Sequence, residues 1–293
     1  MTAHEETTVT VRRDVPFHAV DGEQLLLDVY DSPEVSGPKP AAVLVRGGGF
    51  TVGDKGEFAR QAIDLAEAGY LVVEPQYRLA PEWQFPAALV DVKAAIEWCR
   101  TEAEQVDPQR VVGVGHSAGA NLVALAAATA DDPALEPEQY PGASSALSAV
   151  VGYAGIYDFA SSADNYGAYL GDSDAAVDLA SPVVQADVSM PPTLLVHGED
   201  DAVVAPRQSD LMAETLEPLT TVEYERVPGG HGFPFEGAHY EATYDLTTDF
   251  LTCHLGATTE LRDGPGERPG GVGPGHREPP GDDPLGGDGF TRR

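Results

Sequence analysis

A serine, an acid and a histidine stand in this chain where apolar runs give way to small or turn-forming residues. Ser117 lies in Gly115-His116-Ser117-Ala118-Gly119, at the point where a short Val-rich run ends and an Ala/Leu-rich run of helical spacing begins. A G-x-S-x-G corner of this kind puts its serine on a sharp strand-to-helix turn that admits only small neighbours at the glycine positions. The hydroxyl then projects over a sheet, and the amide of Ala118 points into the same space at the positive end of a helix. The pentapeptide alone is common in turns; its place between a strand and a helix gives it meaning.

Such a serine acts as a nucleophile when a histidine takes its proton and an acid orients that histidine. "ERVPGGHGFPF" sets His231 in a Gly/Pro loop after the last predicted strand. Among the eight histidines, only His116, inside the corner itself, shares such surroundings. "TLLVHGEDDAVV" ends a buried strand in Glu199, Asp200 and Asp201. Spacing after His197-Gly198 favours Asp201 as the acid, with its two acidic neighbours as alternatives, and His197 reads as structural. The resulting order Ser, Asp, His is that of one triad topology and differs from the two common protease orders. The third requirement, donors for a developing oxyanion, falls to "VLVRGGGFTVGDK", whose three glycines free the backbone to aim amides inward. A phosphate cradle is excluded there, because neither G-x-x-x-x-G-K-[ST] nor G-x-G-x-x-G is present.

These residues need a rigid frame. Strands are expected at "TVTVRR", "EQLLLDVY", "AAVLVRG", "YLVVEPQY", "RVVGVGH", "LSAVVGYAG", "TLLVHGE" and "TVEYERVP", and helices over 56–68, 85–103, 118–131, 206–217 and 236–255. Two half-polar strands followed by apolar strands alternating with helices predict an α/β domain, residues 1–256, with a mostly parallel sheet, an antiparallel N-terminal edge and helices on both faces. Ligands bind such sheets at the carboxyl ends of the strands, where each motif above lies. Residues 257–293 hold 10 glycines and 6 prolines with few large apolar side chains, so this stretch reads as a disordered tail.

The formal net charge is -31, and only Lys39, Lys55 and Lys93 are lysines. That charge repels phosphates and anionic lipid, which argues against nucleic-acid and membrane partners. It also makes self-repulsion severe unless salt screens it, so the composition fits a halophilic protein of a salt-rich cytoplasm, as in haloarchaea. The N-terminal residues lack a secretory signal pattern and no apolar run is long enough to span a bilayer. Cys99 and Cys253 have no metal-ligand spacing and read as two buried thiols in a reducing cytoplasm.

Five ordered motifs over about residues 8–256 make the chain resemble the α/β-hydrolase esterases of the hormone-sensitive-lipase-like and BD-FAE-like groups. They are Arg46-Gly47-Gly48-Gly49-Phe50, the "YRLAPEWQFPAAL" block, the G-x-S-x-G corner, "LLVHGEDDAVV" and "GGHGF". The resemblance implies an α/β-hydrolase fold with an eight-stranded sheet, and a serine carboxylesterase in which Ser117, Asp201 and His231 are catalytic. It further implies that the amides of Gly48, Gly49 and Ala118 form the oxyanion hole, that Arg78 is tied into the scaffold, and that no metal or organic cofactor is needed. The expected partner is a small-molecule ester; association with further copies of the chain stays open. Two departures stand out. Arg46 occupies the position of a histidine that braces the glycine loop, and it either braces the loop itself or greets an anionic substrate. Few residues precede the loop, so the helical cap is expected to be small or absent, with cover only from residues 159–183, which favours short acyl chains. The alternatives are an arylformamidase-type amide hydrolase using the same triad, and a non-catalytic binding protein on a hydrolase scaffold.

Overall fold

Apolar side chains at consecutive positions, as from Ala41 to Val45, fit a strand covered on both faces. In the computed structural model, which describes residues 8–130, 132–162 and 166–256, this stretch belongs to an inner strand of one eight-stranded sheet. The strands are β1 (Thr10–Val20), β2 (Glu23–Asp31), β3 (Lys39–Val45), β4 (Leu71–Pro75), β5 (Val106–His116), β6 (Ala149–Tyr153), β7 (Thr193–Gly198) and β8 (Val222–Val227), in the spatial order β1-β2-β4-β3-β5-β6-β7-β8. β2 pairs antiparallel with β1 and β4, and every other neighbouring pair is parallel. The helices are α1 (Ala59–Glu67), α2 (Ala87–Thr101), α3 (Ala118–Ala128), three short ones at α4 (Gly167–Leu170), α5 (Asp174–Leu179) and α6 (Pro182–Gln185), then α7 (Arg207–Leu216) and α8 (Gly237–Leu255).

The pleat of β3 divides its side chains between two cores. Ala41, Val43 and Val45 pack with residues such as Leu89 of α2, Leu122 of α3 and Leu216 of α7. Ala42 and Leu44 join Ala62 and Leu65 of α1 and Phe250 and Leu251 of α8. Helices thus cover both faces, as the alternation of strands and helices predicts. At the edge, β8 alternates instead, with Glu223 and Glu225 exposed.

β1 runs further than the sequence suggests. It continues past Arg13 and through Pro16 to Val20, with register shifts between Arg12 and Val15 and between Pro16 and His18. An edge strand can carry a proline when bulges absorb the missing amide. Both cysteines are free, but only Cys99 is buried; Cys253 is exposed on α8, which corrects the expectation of two buried thiols. Among the described residues no helix is long and apolar enough to cross a membrane. The predicted tail, residues 257–293, lies outside the described residues.

All three lysines are used internally. Lys39 pairs with Asp31, Lys55 with Asp14 and Asp28, and Lys93 with Glu136, and their side chains are 2%, 10% and 0% exposed.

Candidate active site

The end of β5 and the start of α3 meet at Ser117, whose backbone has φ 55° and ψ -118°. A non-glycine residue reaches such a positive φ only when its surroundings enforce it. Here they do so by close approach: a Cβ on Gly119 would lie 1.9 Å from the Val45 carbonyl oxygen, and one on Gly115 would lie 2.3 Å from the Gly119 oxygen. The Ser117 amide donates to the Tyr153 carbonyl at 2.8 Å, which ties the corner to β6. Ser117 itself is 5% exposed.

The structure brings the three chemistry-bearing residues together. Ser117 Oγ lies 3.0 Å from His231 Nε2, and His231 Nδ1 lies 2.7 Å from Asp201 Oδ2. Backbone bonds set the last distance: the Glu199 amide donates to the Val227 carbonyl and the Asp200 amide to the Gly229 carbonyl, which zips the acid loop to the histidine loop. Glu199 and Asp200 point out and are exposed, whereas Asp201 is buried, so the three acids separate by burial. Burial alone would raise the Asp201 carboxyl. Contacts from His197 and His231 and from the Val204 and Val203 amides outweigh it and hold the group well below the usual carboxylate range. An ionised Asp201 accepts only, so His231 carries its hydrogen on Nδ1 and turns a lone pair on Nε2 toward Ser117. His197 is structural, as its strand-end place suggests: fully buried, it lies 2.9 Å from the Val204 carbonyl and 3.2 Å from Asp201 through Nε2, and 2.7 Å from Ser209 Oγ through Nδ1.

Across from the corner runs the glycine loop after β3. Gly48 and Gly49 have φ 114° and 57°, a conformation side chains disfavour, and the amides of Gly48, Gly49 and Ala118 have no acceptor among the described residues. Arg46 braces this loop. Its Nη1 donates to the carbonyls of Gly47 and Val52, both at 2.7 Å, and to Tyr77 Oη at 3.0 Å, with the guanidinium 4.2 Å from the centre of the Tyr77 ring. It is 3% exposed and spends its Nη1 on the loop and on Tyr77, the geometry that a bracing role requires. The "YRLAP" block serves the scaffold too: Arg78 donates to Asp91 and Asp21.

The insert over residues 159–183 carries α4, α5 and the start of α6, and its aromatic residues pack on the glycine loop. Phe50 stacks on Tyr169 with ring centres 3.8 Å apart and planes 6° apart, and Phe159 lies 5.9 Å from Phe50. Among the described residues, no group of three or more His, Cys, Asp or Glu side chains could hold a metal ion. Two site residues escape the sequence reading. Glu57 accepts the Gly47 amide at 2.7 Å, and His116 Nε2 lies 2.9 Å from the His231 carbonyl oxygen. Neither has a sequence signal beyond its nearness to a motif.

The chain is similar to known esterases. Esterase LipQ of Mycobacterium tuberculosis is 31% identical over 237 residues, covering 74% of this chain and 56% of that protein. Esterase LipC of the same organism is 31% identical over 252 residues, covering 79% and 62%. The chain therefore spans about three fifths of the length of these curated relatives. They are mycobacterial and lend no support to a haloarchaeal source. Among solved structures, esterase 2 of Thermogutta terrifontis phosphoramylated by tabun superposes with a TM-score of 0.75 at 26% identity over 86% of this chain and 97% of that one. A truncated carbohydrate esterase from gut microbiota gives 0.72 at 25% over 85% and 99%. The fold is that of the α/β-hydrolases. The BD-FAE sequence model matches residues 27–216, more than half of the chain, and the protein belongs to the BD-FAE family.

Proposed function

We propose that this protein is a serine carboxylesterase acting on small esters with short acyl chains. The observation that carries the reading is the hydrogen-bonded line Ser117, His231, Asp201, with distances of 3.0 and 2.7 Å, together with the amides of Gly48, Gly49 and Ala118, which have no acceptor among the described residues. Ser117 Oγ attacks the ester carbonyl carbon while its proton passes to His231 Nε2. Ionised Asp201 stabilises the imidazolium so formed, and the amides of Gly48, Gly49 and Ala118 receive the oxyanion. His231 returns the proton to the departing alcohol oxygen as the carbon–oxygen bond breaks. Water then attacks the acyl-serine by the same route, with His231 first taking and then returning a proton. The esterase names of the relatives favour the same chemistry.

The stack of Phe50 on Tyr169 supports the short-chain part, because it fills the space next to the glycine loop with fixed aromatic surface. Turnover of p-nitrophenyl acetate, butyrate and octanoate by the wild type and Ser117→Ala tests the reading. The expected result is a preference for the short esters that vanishes in the variant. Folded wild-type protein that ignores all three esters but cleaves N-formylkynurenine would assign it instead to formamide hydrolysis, and inertness to both would leave a binding role.

Salt adaptation is part of the same proposal. With every lysine side chain committed to an internal ion pair, the surface is left with arginine as its cationic residue against an excess of carboxylates. At about 1 M salt the screening length falls to ~3 Å, short enough to remove most surface repulsion. Dialysis from molar KCl into dilute buffer is expected to lower both ellipticity and turnover, and indifference to salt contradicts the proposal.

A further inference from the structure

Two polar side chains join the glycine loop to the histidine loop without belonging to the triad. Glu57 stands just before α1. Its Oε2 accepts the Gly47 amide at 2.7 Å, and its Oε1 lies 3.4 Å from His116 Nδ1. His116, the residue before the nucleophile, is 5% exposed and reaches the His231 carbonyl oxygen with Nε2 at 2.9 Å. A carbonyl only accepts, so Nε2 donates to it; Nδ1 makes no hydrogen bond, and its 3.4 Å approach to the Glu57 carboxylate is attractive only with a hydrogen on Nδ1 as well. Burial tends to raise the Glu57 carboxyl, but His116, the Gly47 amide and Arg46 together hold it below its ordinary range.

Packing closes the same circuit. Phe235 sets its ring against His116 at 5.0 Å and against Phe58 at 5.1 Å, so the segment after His231 touches the corner and the residue after Glu57. Gly47 is wedged into this junction: a Cβ there would lie 3.0 Å from His116 Nδ1 and 3.1 Å from Ser117 Cβ. Fixing the Gly47 amide fixes the plane of the peptide that enters the loop, and with it the direction of the next two amides. Fixing the His231 carbonyl restrains the residue that carries the base.

We propose that Glu57 and His116 are positioning residues that register the glycine-loop amides and the His231 imidazole to one geometry around Ser117. This rests on the esterase reading above. The pair touches no reacting atom and acts through Gly47 and His231. A displacement of about 1 Å in such groups can lower a rate by about 100-fold without altering ground-state binding. The effect belongs in kcat. A role confined to stability would lower the melting midpoint and leave kcat per folded molecule alone.

The test uses the full chain and p-nitrophenyl acetate, with kcat, KM and melting midpoints for Glu57→Leu, Glu57→Gln, His116→Leu and the double leucine variant. Glu57→Leu and His116→Leu are expected to lower kcat by about 30- to 100-fold, with KM within about twofold. Glu57→Gln keeps an oxygen for the Gly47 amide and offers its NH2 to His116 Nδ1, so kcat is expected to recover to within about fivefold of wild type. The double variant is expected to be no slower than the slower single one, since either change breaks the same link. Wild-type kcat in folded Glu57→Leu or His116→Leu overturns the proposal, and so do losses that multiply in the double variant. Should Glu57→Leu not fold, a Glu57→Gln variant no faster than His116→Leu has the same force. Ser117→Ala is measured alongside: turnover retained there overturns the esterase reading itself, whereas turnover lost there with wild-type rates in the positioning variants overturns only the pairing.

Discussion

Replacing Arg46 by methionine keeps most of the buried volume and removes every donor that the side chain offers the glycine loop. Gly47 O retains a second donor, the Tyr77 hydroxyl at 3.0 Å, so the carbonyl left without its partner is that of Val52. A buried acceptor stripped of its donor costs about 1–3 kcal/mol. Loss of the guanidinium over the Tyr77 ring adds about 1 kcal/mol. Relief from no longer burying a charge works in the other direction. The net expectation is a destabilisation of about 2 kcal/mol, read as a fall in melting midpoint of about 4–8 °C for a domain of this size. The freed loop also loses its fixed amide directions, and since one oxyanion donor contributes a factor of about 100 or more, kcat is expected to fall by about 10- to 100-fold. The assay is steady-state hydrolysis of p-nitrophenyl acetate beside an anionic ester of similar size, with melting followed by circular dichroism. A variant that melts lower yet keeps wild-type kcat would show that the loop holds its geometry without Arg46. A KM that rises for the anionic ester alone would refute the bracing role and return Arg46 to the substrate.

Four further outcomes follow from the structure. Asp201→Asn can satisfy the Val203 and Val204 amides with its oxygen but then turns NH2 toward His231, forcing the hydrogen onto Nε2; kcat is expected to drop by about 10⁴-fold. Because the folded Asp201 carboxyl sits below its ordinary value, it stabilises the fold above the usual carboxylate range and loses that contribution as pH falls, so the stability gap between wild type and Asp201→Asn should narrow on acidification. Tyr169→Ala removes the ring stacked on Phe50 and is expected to raise octanoate turnover relative to acetate; an unchanged chain-length profile would show that this stack does not limit the acyl group. Burial and the neighbouring Glu136 push the Glu97 carboxyl up to about 8. A folded value raised above the unfolded one makes wild-type stability fall as pH climbs from the ordinary Glu range through 8. Glu97→Gln should therefore melt above wild type at pH 8 and match it near pH 5, and a gap independent of pH contradicts this.

The proposed triad is legible in the sequence because each member falls at a strand end where chain direction can be read from local residues. Ser117 needs two glycines, His231 a Gly/Pro loop and Asp201 a buried strand before it. The same applies to the sheet, whose inner strands read as unbroken apolar runs, and to α8, expected over 236–255 and found at Gly237–Leu255. What the sequence withholds depends on contacts between distant segments. Glu57 is one acid in a chain of 48 acidic residues until the loop places it under the Gly47 amide. His116 looks like a spacer within the corner until the His231 carbonyl comes within reach. β1 passes Pro16 because paired bulges, fixed by its register with β2, absorb the break. Arg46 is the intermediate case: its position was suggestive, but only its three acceptors decide which way it faces.

The most direct measurement of the central claim, that Ser117 is a nucleophile activated by His231, is intact-protein mass spectrometry after incubation with an organophosphorus ester such as paraoxon. A single phosphoryl adduct that maps to Ser117 is predicted in the native protein, with none in Ser117→Ala and strongly slowed labelling in His231→Ala. An adduct on another residue, or equal labelling of native and Ser117→Ala protein, would contradict it.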